Sequence, residues 1–308
     1  MKKLIPMAIC YDFDGTLSPG NMQEYGFMEQ IGMTPNDFWD KVNQEVKATG
    51  ADNIAIYMKL MISESRNNHQ PFLRKTFTDY GKKIQLFKGV DSWFDRINMF
   101  GKEHGVAVKH YIISSGIKEM IEGTKIAGKF TKIYASSFLY DANGAAEWPA
   151  IVLNFTTKTR YLFEINKGEN TPLNAFVKEC DRAVPFANMV YIGDGETDVP
   201  CMRIVKKEGG HSIAVYPPKS KNKRETAVRL YNEERVNIIA PSDYSVGSKI
   251  DLYIKALIEK LELEYKIQDI INDKISKKKV LSPTDNSTNV NITTDYKQDE
   301  SLSTESNE

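Results

Sequence analysis

The chain has 308 residues, 41 of them basic and 41 acidic, and a formal net charge of +0. An apolar content of 41% and an aromatic content of 10% supply a sizeable core, which excludes wholesale disorder. Whole-chain neutrality argues against a dedicated nucleic-acid or membrane-surface binder, and no apolar run approaches the roughly 18 residues of a transmembrane helix.

The first ten residues, with Lys2 and Lys3 ahead of a short apolar run, superficially resemble a signal peptide. Asp12 and Asp14 follow at once, so Leu4–Tyr11 reads instead as a buried first strand. From 21 to 85 the apolar residues recur at helical spacing, as in Phe38, Val42 and Val46. Thr34-Pro35-Asn36-Asp37 is a helix start with a capping residue and proline. This block is expected to be all-helical, a small second domain inserted after the first strand.

Beyond Gly89 helices and strands alternate. Helices are expected near Val90–His104, Lys118–Ala127, Pro172–Cys180 and Val199–Lys207, and from Gly247 to Lys277. Strands are expected at Val106–Ile113, Lys132–Ser136, Met189–Ile192, Ser212–Val215 and Val236–Ile239. Asn143-Gly144 marks a hairpin between Phe138–Tyr140 and Ala150–Phe155. The basic stretch from Lys219 to Arg224 reads as a solvated loop, and Trp39 and Trp93 as core. The alternation predicts an α/β fold, a Rossmann-like parallel sheet with helices on both faces. Residues 1–20 and 86–282 would form this core domain, 21–85 a helical cap, and 283–308 a disordered tail. That tail carries six acids and one lysine, so the rest of the chain is mildly basic. Cys10, Cys180 and Cys201 show no metal-type spacing, two of them lie in apolar contexts, and they read as buried free thiols in a reducing cytoplasm.

Ligands of such sheets bind at the carboxyl ends of the strands. Four polar clusters fall there. Asp12 and Asp14, two residues apart at the end of the first strand, can supply a nucleophile and a proton donor for phosphoryl transfer. Two adjacent acids repel and call for a cation. Ser114-Ser115-Gly116 follows Tyr111-Ile112-Ile113 and leads into a helix, a setting that suits a phosphate. Lys167 is a candidate to neutralise phosphate oxygens, with Lys158 as the competing choice. Asp194 and Asp198, in Gly193-Asp194-Gly195-Glu196-Thr197-Asp198, suit a hard divalent cation.

In this order the four clusters resemble the haloacid dehalogenase-like hydrolase superfamily. Its first motif is matched by Asp12-Phe13-Asp14-Gly15-Thr16-Leu17, its second by Tyr111 to Gly116, its lysine by Lys167 and its fourth by Gly193 to Asp198. The resemblance implies Asp12 as nucleophile and Asp14 as general acid/base. It implies Mg²⁺ held by Asp12, Asp194 and the backbone carbonyl of Asp14, with Asp198 in support. Ser114, Ser115, Gly116 and Lys167 would grip the phosphoryl group. The helical insertion resembles a cap of the first type and the fourth motif the phosphoserine-phosphatase-like branch. The implied activity is a cytoplasmic, Mg²⁺-dependent phosphatase acting on a small phosphorylated metabolite through an aspartyl-phosphate, with no nucleic-acid or membrane partner. A phosphotransferase or phosphomutase on the same scaffold, or a non-catalytic binding protein, is the alternative. Glu24, Tyr57, Arg66 and Arg74 lie in the cap, where exposed helix charges are the default reading and one or more of the four is a candidate to read the non-phosphate end of the substrate.

Overall fold

The computed structural model describes residues 4–69 and 72–279. The first strand, β1 (Ile5–Tyr11), leads into short helix α1 (Phe27–Gln30) and helices α2 (Pro35–Thr49), α3 (Asn53–Asn67) and α4 (Arg74–Gly81). The expected all-helical character of this stretch holds in its described residues. Thr34 caps α2 by accepting a hydrogen bond from the Asp37 backbone N–H, and Pro35 occupies the first turn, where a missing N–H costs nothing. Asp52 caps α3 by accepting from the Ile54 and Ala55 N–H groups.

Helix α5 (Val90–Glu103), strand β2 (Val106–Ile117) and helix α6 (Lys118–Glu122) follow, then the hairpin β3 (Lys132–Tyr140) and β4 (Ala146–Ile151). The rest is α7 (Lys158–Lys167), β5 (Met189–Gly193), α8 (Val199–Lys207), β6 (His211–Tyr216), α9 (Lys221–Asn232), β7 (Ile238–Pro241) and α10 (Lys249–Lys279). Seven strands form one sheet in the order β4-β3-β2-β1-β5-β6-β7. All neighbours run parallel except the β3–β4 pair. This is the Rossmann-like α/β fold that the alternating pattern predicts.

Each central strand serves two cores. Ile5, Met7, Ile9 and Tyr11 of β1 enter an apolar cluster with Trp93, Phe94 and Ile97 of α5 and Ile250, Ile254 and Ile258 of α10. Ala8 and Cys10 face the opposite cluster with Leu162 and Ile165 of α7, Met202 and Val205 of α8, and Leu230 of α9. Burial on both faces explains why β1 reads as a continuous apolar run.

The register sets the site. Tyr11 of β1 pairs with Ile112 of β2 on one side and Ile192 of β5 on the other. Asp12, Ser114 and Asp194 therefore emerge together at the carboxyl edge of the sheet. The strand order diverges about β1, with β2–β4 on one side and β5–β7 on the other, and the crevice opens at that point.

Several elements differ from expectation: β2 runs on to Ile117 rather than Ile113, α6 stops at Glu122 rather than Ala127, and β7 lies at Ile238–Pro241 rather than Val236–Ile239. The helix expected at Pro172–Cys180 is absent; the helix lies earlier, at α7. In α7, Lys158, Leu162, Ile165 and Asn166 are buried at helical spacing. Residues 172–180 bury no continuous stripe and leave Phe176 88% exposed, so packing does not support a helix there. The basic stretch read as a loop begins α9, with Ser220 as its cap. The second hairpin arm is Ala146–Ile151 rather than Ala150–Phe155, because Asp141 closes a tight turn by accepting from the Asn143 and Ala145 N–H groups.

The chain up to Tyr265 makes one compact unit that includes α1–α4. The described residues beyond it, from Lys266, continue α10. No helix among the described residues is long and apolar enough to cross a membrane. The expected tail, 283–308, lies outside the described residues.

Candidate active site

Asp12 follows directly on β1 and inherits the alternation that turns Ala8 and Cys10 toward α7 and α8. There it meets Lys158, whose Nζ lies 3.2 Å from Asp12 Oδ1 and 2.8 Å from Asp198 Oδ1. The Lys158 and Asp198 side chains are 0% exposed. Burial by itself would lower the lysine pKa; Asp12 and Asp198 outweigh it and raise the pKa well above the ordinary value. Lys158 therefore carries its charge throughout the physiological range.

Asp198 is fixed from several sides. Its Oδ1 also accepts from the Tyr191 hydroxyl at 2.8 Å, and its Oδ2 accepts from the Gly195 N–H at 3.3 Å. Gly193 allows this approach: a Cβ there would stand 2.5 Å from Asp198 Oδ2. With both oxygens engaged, Asp198 positions Lys158. The Asp12–Lys158–Asp198 group is a buried ionic triad, costly to desolvate and more costly to break by removing one member.

Asp194 extends from the end of β5. Its Oδ2 accepts a hydrogen bond from Lys223 Nζ at 2.8 Å. Burial raises the Asp194 pKa while Lys223 opposes the rise. For Lys223, burial lowers the pKa, and Asp194 more than compensates. Gly15 makes room for Asp194. Its φ is +72°, in the left-handed region, and a Cβ would fall 2.2 Å from Asp194 Oδ2.

Asp12, Asp194 and Asp198 are all buried, and each offers an oxygen within 4.8 Å of the others. Burial first, then Asp198, pushes the Asp12 carboxyl up to about 7, against the pull of Lys158. Asp12 Oδ1 has no hydrogen-bond partner. A cluster of hard oxygen donors whose mutual repulsion Lys158 and Lys223 offset only in part fits a divalent cation such as Mg²⁺.

The Asp14 carboxylate lies outside that cluster. Its Oδ1 accepts from the Met22 N–H at 3.1 Å, and burial, then Asp12, raises its pKa well above the usual range. It is thus poised as a proton donor toward the cleft that it lines with Asp12.

A bulge near the carboxyl end of β2 completes this wall. The β2–β3 pairing jumps from Ser114↔Ala135 to Ile117↔Ser136, so Ser115 and Gly116 bulge out of the ladder. Ser114 Oγ accepts from the Gly116 N–H at 3.1 Å, and Ser115 Oγ is buried without a partner. The Tyr57 hydroxyl of α3 donates to the Ser115 carbonyl at 2.6 Å and ties the helical insertion to this bulge.

These residues surround a cleft of about 470 Å³ lined by Asp12, Asp14, Ser114, Ser115, Gly116, Asp194 and Lys223, with residues of the insertion opposite. Of the expected site residues, Lys167 is not brought here. It ends α7, where its ammonium donates to the backbone carbonyls of Leu173 and Ala175. Lys158, nine residues earlier in the same helix, holds the place expected for Lys167. The signal was helical phase: Lys158 shares a face with Leu162 and Ile165, whereas Lys167 does not. Lys223 was missed because its stretch reads as a solvated loop. Among the cap candidates Tyr57 lines the cleft; Arg74 pairs with Glu122 instead, and Glu24 accepts a hydrogen bond from Asn21. Trp39, expected in the core, also lines the cleft.

A parallel sheet with an acid-rich cleft at its carboxyl edge and a lysine buried among the acids is an arrangement for phosphate-ester chemistry. A family model described as haloacid dehalogenase-like hydrolase matches residues 9–203, and the chain belongs to that family. An uncharacterized protein of Borreliella burgdorferi is 31% identical over 271 residues, spanning 79% of this chain and 93% of that relative. The fold is similar to that of a HAD family hydrolase from Salmonella enterica serovar Typhi, at a TM-score of 0.56 and 15% identity over 84% of this chain and 73% of the other. It is also similar to a probable phosphoserine phosphatase from Vibrio cholerae, at 0.53 and 11% over 86% and 69%.

Proposed function

We propose that the chain is a Mg²⁺-dependent phosphatase that hydrolyses a small phosphate monoester through a phosphoryl group carried on Asp12. The observation that supports this reading most is Asp12, which lines the cleft with Asp194 while its carboxylate pairs with Lys158, a lysine buried beneath the cleft and held by Asp198. Mg²⁺ would be held by Asp12, Asp194 and the backbone carbonyl of Asp14, and when bound it would offset the charge of the carboxylates and the phosphate.

Asp12 attacks phosphorus, the P–O bond to the leaving group breaks, and Asp14 delivers its proton to the departing oxygen. Asp14, now ionised, takes a proton from water, whose oxygen attacks phosphorus and releases Asp12 and inorganic phosphate. Lys158, held by Asp198, keeps its charge next to Asp12 and offsets the negative charge that gathers on the phosphoryl oxygens. Ser114, Ser115 and the Gly116 N–H line the position of those oxygens. The insertion 21–85 acts as a cap over the cleft and limits entry of bulk water.

Hydrolysis of p-nitrophenyl phosphate with and without Mg²⁺, in wild type and Asp12→Asn, tests the reading. Mg²⁺-dependent turnover that disappears in the variant supports it. Turnover retained in Asp12→Asn sinks it.

A further inference from the structure

The cleft has two walls of different chemistry. Every charged side chain that lines it, Asp12, Asp14, Asp194, Glu196 and Lys223, comes from the strand ends and the helices behind them. The opposite wall, from residues 21–57, is uncharged. It offers four amides, Asn21, Gln23, Asn43 and Asn53, two aromatic rings, Trp39 and Tyr57, and two aliphatic side chains. Of the charged groups in these helices, Lys41 pairs with Glu64 and Lys59 with Glu45, and the Glu24 carboxylate accepts a hydrogen bond from the lining amide Asn21.

Two polar atoms of this wall lack partners. Gln23 Oε1 and Trp39 Nε1 are buried and make no hydrogen bond, and the Gln23 residue is 2% exposed. One is an acceptor and the other a donor. A buried polar atom left unpaired costs about 1–3 kcal/mol, which a ligand group of the opposite character recovers. A hydroxyl is donor and acceptor at once, so hydroxyl groups suit both atoms. An ammonium or carboxylate on the leaving group would instead lose its water against a wall whose lining side chains are uncharged. Aromatic faces beside amides complement the alternating C–H and O–H surface of a polyol or sugar ring.

Resting on the phosphatase reading of the same cleft, the geometry points to a substrate whose leaving group is an uncharged, hydroxyl-bearing alcohol: a sugar or polyol phosphate rather than a phosphorylated amino acid or hydroxy acid. Gln23 and Trp39 read its hydroxyls, and Asn43 and Asn53 line the remainder of its subsite.

Steady-state kcat/KM of the full chain with Mg²⁺ tests this across two sets of esters. Glycerol 3-phosphate and hexose and pentose phosphates carry neutral leaving groups; phosphoserine, phosphoethanolamine and 3-phosphoglycerate carry charged ones. The best neutral ester is expected to exceed the best charged ester by about 100-fold or more, in the range that buried polar complementarity gives. A charged ester that equals or surpasses the neutral ones overturns the inference while leaving the phosphatase reading intact. No hydrolysis of any ester, p-nitrophenyl phosphate included, overturns the phosphatase reading and this inference with it. In Gln23→Leu and Trp39→Phe the ratio of kcat/KM for the best sugar phosphate to that for p-nitrophenyl phosphate, which has no hydroxyl to offer, is expected to fall about 10-fold. An unchanged ratio in both variants overturns the assignment of those two side chains.

Discussion

The floor and the roof of the cleft are built differently. The floor comes from strand ends, where backbone register places Asp12, Ser114 and Asp194 side by side and small residues such as Gly15 and Gly193 let carboxylates approach. Its carboxylates Asp12 and Asp194 are buried and paired with Lys158 and Lys223. The roof comes from a helical insertion and presents amides and aromatic rings, while charges such as Lys41 with Glu64 and Lys59 with Glu45 pair with each other. On the proposed function, chemistry and recognition would be carried by different secondary structure, so substitutions on the floor should act on the rate of the reaction and substitutions on the roof on the choice of substrate.

The largest effect that would break this division is at Asp12. Asp12→Asn should lower kcat by on the order of 10⁴-fold or more, as loss of a nucleophile does, with circular dichroism unchanged. A loss confined to KM would place Asp12 with the roof instead.

Lys158 comes next, and Lys167 is its control. Lys158→Met leaves Asp12 and Asp198 buried without their cation and should cost roughly 3–5 kcal/mol of stability in urea denaturation, together with most activity. Lys167→Met loses hydrogen bonds to two backbone carbonyls at the end of α7 and should cost less than about 1.5 kcal/mol, with turnover nearly unchanged. Equal effects of the two substitutions would remove the distinction.

Lys223 sharpens the account of the floor. Its side chain is 48% exposed and occupies one oxygen of Asp194. Lys223→Met should therefore lower the Mg²⁺ concentration for half-maximal activity by a few-fold, since a competing ammonium is gone from a proposed metal ligand. A higher Mg²⁺ requirement would mean that Lys223 assists the metal site rather than competing with it.

The smallest effect lies beneath the floor. His110 of β2 is buried, with one ring nitrogen on the Tyr11 hydroxyl and the other on Asn98. Burial lowers its pKa to about 3. Between about pH 6.5 and 3 the unfolded chain binds a proton at this residue that the folded chain does not. The His110 contribution therefore favours folding above pH 6.5 and is progressively lost as pH falls through that window. His110→Gln should flatten the acid side of the stability profile measured by urea unfolding, and an unaltered profile would contradict this.

Much of the floor is legible in the sequence because strand-end motifs are contiguous. Asp12 and Asp14 sit two residues apart after an apolar run, and Asp194 and Asp198 are flanked by glycines. The bounds of β1 and α8 also follow from local pattern. Lys158 was harder: its role depends on helical phase and on a partner 40 residues away, and only the spacing to Leu162 and Ile165 hints at its burial. Lys223 lies in a lysine-rich helix whose mean character is polar, so nothing local separates it from Lys221 or Lys219. The roof is the least legible part, because an amide that lines a cleft and one that faces water look the same in a sequence.

Acid-quenched turnover with a radiolabelled phosphate ester reads the proposed phosphoryl group on Asp12. Hydroxylamine-sensitive label is expected on the peptide containing Asp12, present in wild type with Mg²⁺ and absent from Asp12→Asn. Label on another residue, or label that persists in Asp12→Asn, would contradict it.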